Sequence, residues 1–204
     1  LFRSLNGNRS KADNPAVPLT PEQLAHDAQL CVAHGVGALH VHPRNADGLE
    51  SLHWADIAPV LDAIRAACLG IPIGISTREG ITATAAERFD LVCGWQSALD
   101  FASVNFHEEG SVEIAKKLLE LGIGVEAGLF TTRGAKNLVA SGLAEDCLRI
   151  MFEPIPDNLN DALSTINGIE QILEDRNVKN PSRLLHGFDA TVWPLLAEAR
   201  SEEH

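Results

Sequence analysis

The chain has 204 residues, of which 45% are hydrophobic and 22% charged, enough for one substantial core. Its formal net charge is -12 and its pI is near 5.0. That balance excludes a surface built for nucleic acid or an anionic membrane, because phosphate would be repelled at long range. No apolar run reaches the length of a transmembrane helix, and the start "LFRSLNGNRS" lacks the apolar core of a signal peptide. The expectation is a soluble cytoplasmic protein. Cys31, Cys68, Cys93 and Cys147 show no C-x-x-C spacing and read as buried, reduced thiols.

Short apolar or β-branched runs alternate with helical patterns along the chain. Strands are predicted over 2–7, 37–42, 71–77, 101–106, 124–129, 149–154 and 183–188, and helices over 21–34, 56–67, 84–93, 111–121, 133–141, 158–175 and 190–200. The first helix has an explicit start: Thr20 as N-cap, Pro21 at the first helical position and Gln23 completing a capping box. There is no linker, repeat or low-complexity tract, so residues 1–204 read as one domain. Such alternation builds either an open doubly wound sheet or a closed (β/α)₈ TIM barrel. Neither G-x-G-x-x-G nor G-x-x-x-x-G-K-[ST] occurs, which favours the barrel. A barrel needs eight strands, and the chain stops after the seventh and its helix, so the eighth is expected to be absent from this sequence.

Barrel chemistry sits at the carboxyl ends of the strands. The second strand ends in His40, His42 and Arg44, the third in Ser76, Thr77 and Arg78, the fourth in Asn105, His107, Glu108 and Glu109. The fifth carries Glu126, the sixth Glu153 and the seventh His186. Strands buried on both faces should otherwise be continuously apolar, so a shared pocket is the economical reading. His40 and His42, two apart on a strand, project to the same face and can converge on one metal ion; a hydrogen-bonded structural pair is the competing reading. Glu126 lies in the small, apolar stretch "GIGVEAGLF", where burial demands a proton, a hydrogen bond or a cation, and it either serves a site or braces an arginine. Ser76 and Asn105 either cap a following helix or touch a substrate. His53, Trp54, Trp95 and Trp193 are expected to pack or cap on the outer helical layer.

In this order the segments resemble the β-keto acid cleavage enzyme family, whose founding activity is 3-keto-5-aminohexanoate cleavage. The resemblance rests on "NGNR" (6–9), "NPAVPLTPEQLAHDA" (14–28), "GALHVHPRNADGLESL" (37–52), "PIGISTREG" (72–80), "DFASVNFHEEG" (100–110), "GIGVEAGLFTT" (122–132), "RIMFEP" (149–154) and "LLHGFDATVWPLLAEA" (184–199). It implies a (β/α)₈ barrel, a divalent metal, usually zinc, a homotetramer, and conversion of a 3-keto acid and acetyl-CoA into acetoacetate and a new acyl-CoA. His40 and His42 match the family's histidine ligands, Ser76 and Asn105 positions that hold the keto acid, with Thr77 beside them, and Glu126 an active-site glutamate. Arg9 stands where the founding enzyme has a glutamate that receives an amino group, so the substrate here is expected to be neutral or anionic at that end. Family members continue into a strand R-x-G-x-E-D that supplies the third ligand, a glutamate, with an aspartate and an arginine used in catalysis. That strand is missing here, and C-terminal incompleteness is the expected reason, because a barrel short of one strand leaves two long edges unpaired. A metal-dependent aldolase or hydrolase on the same barrel, or an inactive member that binds a small acid, are the alternatives.

Overall fold

The computed structural model describes residues 2–96 and 98–201. Leu1, Ser97 and residues 202–204 lie outside the described residues. Among the described residues seven strands alternate with helices, and their order in the sheet follows the chain. The pairs β1–β2, β2–β3, β3–β4, β5–β6 and β6–β7 are parallel. A doubly wound sheet reverses its order at a switch point, so this unbroken sequence is the barrel-type α/β construction expected. The chain divides into two compact units.

The first unit comprises Leu1–Ser103 and Lys117–Ile123. It holds β1 (Phe2–Ser4), α1 (Pro21–Ala33), β2 (Ala38–Val41), α2 (Trp54–Ala67), β3 (Ile73–Ser76), α3 (Ala85–Cys93) and most of β4 (Phe101–Asn105). The capping box at Thr20 forms as predicted: Gln23 N donates to Thr20 Oγ1 at 3.3 Å and Gln23 Oε1 accepts from Thr20 N at 3.4 Å. Helix α1, burying Leu24 and Ala28, packs on α2, which buries Ile57, Val60, Leu61 and Ile64. Leu39, Val41, Ile73 and Ile75 are fully buried, as strands covered on both faces require. Strand β1 stops at Ser4, earlier than the predicted 2–7, because the chain bends through Gly7 at a φ of 55°.

The second unit comprises Val104–Lys116 and Gly124–His204. Here β5 (Gly124–Leu129), α5 (Thr132–Ser141), β6 (Arg149–Phe152), α6 (Leu159–Asp175), β7 (Ser182–Leu185) and α7 (Val192–Ser201) follow the end of β4; α4 (Ser111–Glu120), like β4, is divided between the two units. The core gathers Val125, Ala127, Leu129, Leu138, Ile150, Ala162, Ile169 and Leu173, with α5 against β5 and α6. Strand β7 ends before the predicted 188. The chain turns there, Thr191 N donating to Phe188 O at 2.8 Å and Phe188 N to Thr191 Oγ1 at 3.1 Å.

Two packing expectations need correction. Cys68 and Cys147 are buried and Cys31 is half-buried, but Cys93 ends α3 on its solvent side and is exposed. Trp95 is buried, its indole donating to Leu52 O at 2.9 Å, whereas Trp193 is 74% exposed. No helix among the described residues is long and apolar enough to cross a membrane.

Gly74 of β3 lies opposite Phe101 of β4, and a Cβ there would fall 1.9 Å from a Phe101 ring atom. The ring crosses the strand only because that position has no side chain. Gly74→Ala is expected to destabilise the protein by about 1–3 kcal/mol through overpacking, read as a lower urea midpoint; an unchanged midpoint would show that the ring moves aside freely.

Candidate active site

In the first unit the strand period does what the sequence predicts. His40 and His42 are both buried on β2 and its exit, and their Nε2 atoms face each other at 3.1 Å. The rings meet edge to face, with centroids 5.0 Å apart. Two nitrogens on one tetrahedral zinc, each at 2.0–2.1 Å, lie roughly 3.3 Å apart, so the donor spacing fits a shared ion. Among the described residues, however, no group of three or more His, Cys, Asp or Glu side chains comes together to hold a metal. The pair is a two-ligand set.

Asn6, Glu50 and Arg78, the last of them among the predicted strand-end polar residues, organise it. Asn6 Oδ1 accepts from His42 N at 2.9 Å while its amide donates to His42 O at 2.9 Å and Pro18 O at 3.2 Å, fastening the backbone of His42 as an added strand would. Glu50 Oε1 lies 2.5 Å from His42 Nδ1. Arg78 grips the same carboxylate, Nε donating to Oε1 at 3.1 Å and Nη2 to Oε2. Burial alone would raise the Glu50 carboxyl, but the bonds from His42 and Arg78 outweigh it and hold it at about 2. Burial lowers His42 against the pull of Glu50, so the arrangement is an ionised carboxylate, a neutral imidazole and two guanidinium groups, Arg78 and, with Nη1 4.0 Å from Glu50 Oε2, Arg44.

Around this core, Ser76 is buried and its Oγ accepts from Arg78 N at 3.3 Å; neither it nor Asn105 caps a helix. Thr77 is buried and donates its hydroxyl to Ser103 O at 2.7 Å, continuing the β3–β4 ladder. Arg88, fully buried on α3, donates to Thr77 O at 3.3 Å. Arg9 is exposed, and its carbonyl, with that of Gly7, accepts from Arg44 Nη2 at 3.0 and 2.6 Å.

The second unit carries Asn105 and Glu126. Glu126 is fully buried on β5, directly opposite Arg149 on β6, and Arg149 Nε donates to its Oε2. Its other oxygen, Oε1, is buried with no hydrogen-bond partner. Burial raises the carboxyl more than Arg149 lowers it. Asn105 Nδ2 donates to Glu108 Oε1 at 2.7 Å, and its Oδ1 occupies the space over Gly128, 2.5 Å from where a Cβ would stand. Glu153 Oε1 is 3.4 Å from the same point. Buried and facing the charges of Glu126 and Glu108, the Glu153 carboxyl is pushed well above its ordinary range, so it holds its proton. His107, Phe130, Phe188 and His186 form a chain of ring contacts at the strand exits, with centroids 4.8, 5.7 and 5.0 Å apart in turn.

An α/β fold of sequential parallel strands, with polar groups gathered where the strands end, defines a barrel-type enzyme scaffold. The family model for beta-keto acid cleavage enzyme matches residues 3–159, and the chain belongs to that family. It is 28% identical over 131 residues to a 3-keto-5-aminohexanoate cleavage enzyme of Fusobacterium nucleatum, an alignment covering 59% of this chain and 48% of that protein. It is 37% identical over 67 residues to a 3-oxoadipate:acetyl-CoA acetyltransferase of Cupriavidus necator, covering 33% of this chain and 24% of the relative. At its longest, then, the chain spans about half the length of the curated relatives it matches. Among solved structures, D-glucarate dehydratase from Agrobacterium tumefaciens superposes with a TM-score of 0.60 at 16% identity, covering 96% of this chain and 49% of the other. N-acetylneuraminate lyase from Proteus mirabilis superposes at 0.55 and 16%, covering 96% and 66%. These two likenesses concern the fold alone.

A carboxyl whose folded pKa is raised stabilises the fold below its unfolded pKa and loses that contribution as pH climbs toward the folded value. For Glu153 the loss begins near the ordinary value of 4.5. Glu153→Gln, which keeps the neutral shape, is therefore expected to flatten the fall in urea midpoint between about pH 5 and pH 8; parallel pH profiles for the two proteins would show that Glu153 ionises freely in the fold.

Proposed function

We propose that this chain carries part of a metal-dependent β-keto acid cleavage enzyme. In the proposed reaction a 3-keto acid and acetyl-CoA yield acetoacetate and a new acyl-CoA. The bond between the keto carbon and the acid's CH₂ breaks, that CH₂-carboxylate fragment replaces CoA sulfur on the acetyl carbon to give acetoacetate, and the released CoA sulfur takes the acyl remainder. The observation that carries the reading is the His40–His42 pair, its nitrogens 3.1 Å apart and one ring anchored by a buried carboxylate, on a chain of this family.

His40 and His42 would hold a divalent metal, zinc by the donor set. When bound, such an ion supplies Lewis-acid polarisation of a carbonyl. The Ser76 hydroxyl and the Asn105 amide are proposed to hold the keto acid, with Thr77 fixing the backbone beside Ser76. Glu126 is proposed as the active-site carboxylate; its unbonded Oε1 is an acceptor free to take a proton, while Arg149 holds Oε2. Arg9, positive and exposed, suits a substrate whose far end is neutral or anionic. The acetyltransferase relative, named for 3-oxoadipate, supports an anionic end. Cytoplasmic location is proposed on the cysteine pattern, and a homotetramer on the family resemblance.

The test is turnover of a panel of 3-keto acids with and without acetyl-CoA, following acetoacetate and free CoA. Production that requires acetyl-CoA is expected; turnover indifferent to it would replace this reading with an aldolase or hydrolase. His40→Ala and His42→Ala are expected to lose bound metal and at least about a hundredfold in rate, the several kcal/mol a Lewis acid contributes. Unchanged metal content in both variants would remove the metal from the reading.

A further inference from the structure

Glu50 lies eight residues beyond His42, and a tight hairpin returns it. Asn45 Oδ1 accepts from Asp47 N and Leu49 N, both at 3.0 Å, Gly48 turns the chain at a φ of 77°, and Asn45 N donates to Leu49 O at 2.9 Å. Arg44 and Glu50 then bridge as antiparallel partners. A residue opposite one position reaches diagonally to the side chain two places along, which is how the Glu50 carboxylate arrives at His42. Its side chain is 8% exposed, and the Arg78 fork removes its remaining freedom. Arg78 is itself tied down, Nη1 donating to Glu79 O at 3.0 Å.

We propose that Glu50, clamped by Arg78, is a positioning residue that fixes His42 as the Nδ1–H tautomer and so presents its Nε2 lone pair toward His40. Its use for metal capture rests on the reading above; the tautomer itself does not. A neutral imidazole has one N–H, and the 2.5 Å contact of Nδ1 with a carboxylate already gripped at both oxygens by the Arg78 fork places it at Nδ1. The 3.1 Å contact between the Nε2 atoms still needs a proton, so His40 supplies it. The two rings therefore rest in opposite tautomers: His42 is ready to ligate as it stands, and His40 must move its proton to Nδ1 before its Nε2 can do the same. An ion pair serving stability alone would be complete between Glu50 and Arg78 and would leave the tautomer of His42 unset.

The experiment is long-range ¹H–¹⁵N correlation on the metal-free full chain with ¹⁵N-labelled histidine, paired with zinc affinity by competition against a chromophoric chelator. His42 is expected as Nδ1–H and His40 as Nε2–H. Glu50→Ala is expected to release the His42 preference and weaken zinc about 10–100-fold, while Glu50→Gln, which keeps an acceptor oxygen, recovers part of both. Arg78→Met, which leaves the carboxylate but not its clamp, is expected to give a smaller loss and covers the case in which Glu50→Ala does not fold. His42 found as Nε2–H in the wild-type chain overturns the proposal, as does Glu50→Ala with an unaltered His42 spectrum. If the wild-type chain shows the predicted tautomers and Glu50→Ala abolishes them but neither protein takes zinc, the positioning role stands and the metal reading fails.

Discussion

The buried carboxylate of Glu50, held between the imidazole of His42 and the guanidinium of Arg78, is the interaction on which the rest of the first unit's site depends. Removing a carboxylate from water costs several kcal/mol, and it is tolerated only when its oxygens are met with good geometry. Here Arg78 supplies charge and two donors and His42 supplies the third. That arrangement dictates the charge states around it: an ionised acid beside a fixed cation leaves the ring no reason to be charged. It also dictates direction, because a ring tethered at Nδ1 aims Nε2 away from the tether, where His40 waits. Asn6 completes the constraint by hydrogen-bonding both backbone groups of His42, so that ring and main chain are held independently.

The second unit treats its buried acids differently. Glu126 and Arg149 face one another across neighbouring strands, so the register of β5 and β6, and not a loop, brings charge to charge. Glu153 has two other carboxylates for neighbours and keeps its proton instead. Arg149 beside Glu126 and the carboxylates beside Glu153 give the buried acids of this polar layer opposite electrostatic surroundings. Gly128 makes the layer possible, since any larger residue would displace the Asn105 amide.

Features set by local periodicity were legible in the sequence. The H-x-H spacing gave two rings on one strand face, Thr20, Pro21 and Gln23 gave the start of α1, and the alternation of strands and helices gave the parallel order. What the residues alone left open turns on long-range partners. Glu126 could have served a site or braced an arginine, and Arg149 became visible only through strand register. Glu50 is not legible from periodicity because it stands outside every strand and helix; the signal that points to it is "NADG", a turn sequence that folds the following acid back toward the histidines. Exposure at Cys93 and Trp193 was illegible for a related reason: each sits on a helix whose inward stripe is fixed by its neighbours, not by the residue's own hydrophobicity. The family resemblance, carried by many ordered motifs, reached further than any one of them and matches the family to which residues 3–159 belong.

The most direct measurement is anomalous diffraction at the zinc edge from crystals grown with zinc. The account predicts a peak about 2.0–2.1 Å from the Nε2 atoms of both His40 and His42, with Nδ1 of His42 still on Glu50. A peak bound through Nδ1, or zinc lodged elsewhere with the two rings still hydrogen-bonded to each other, would contradict it.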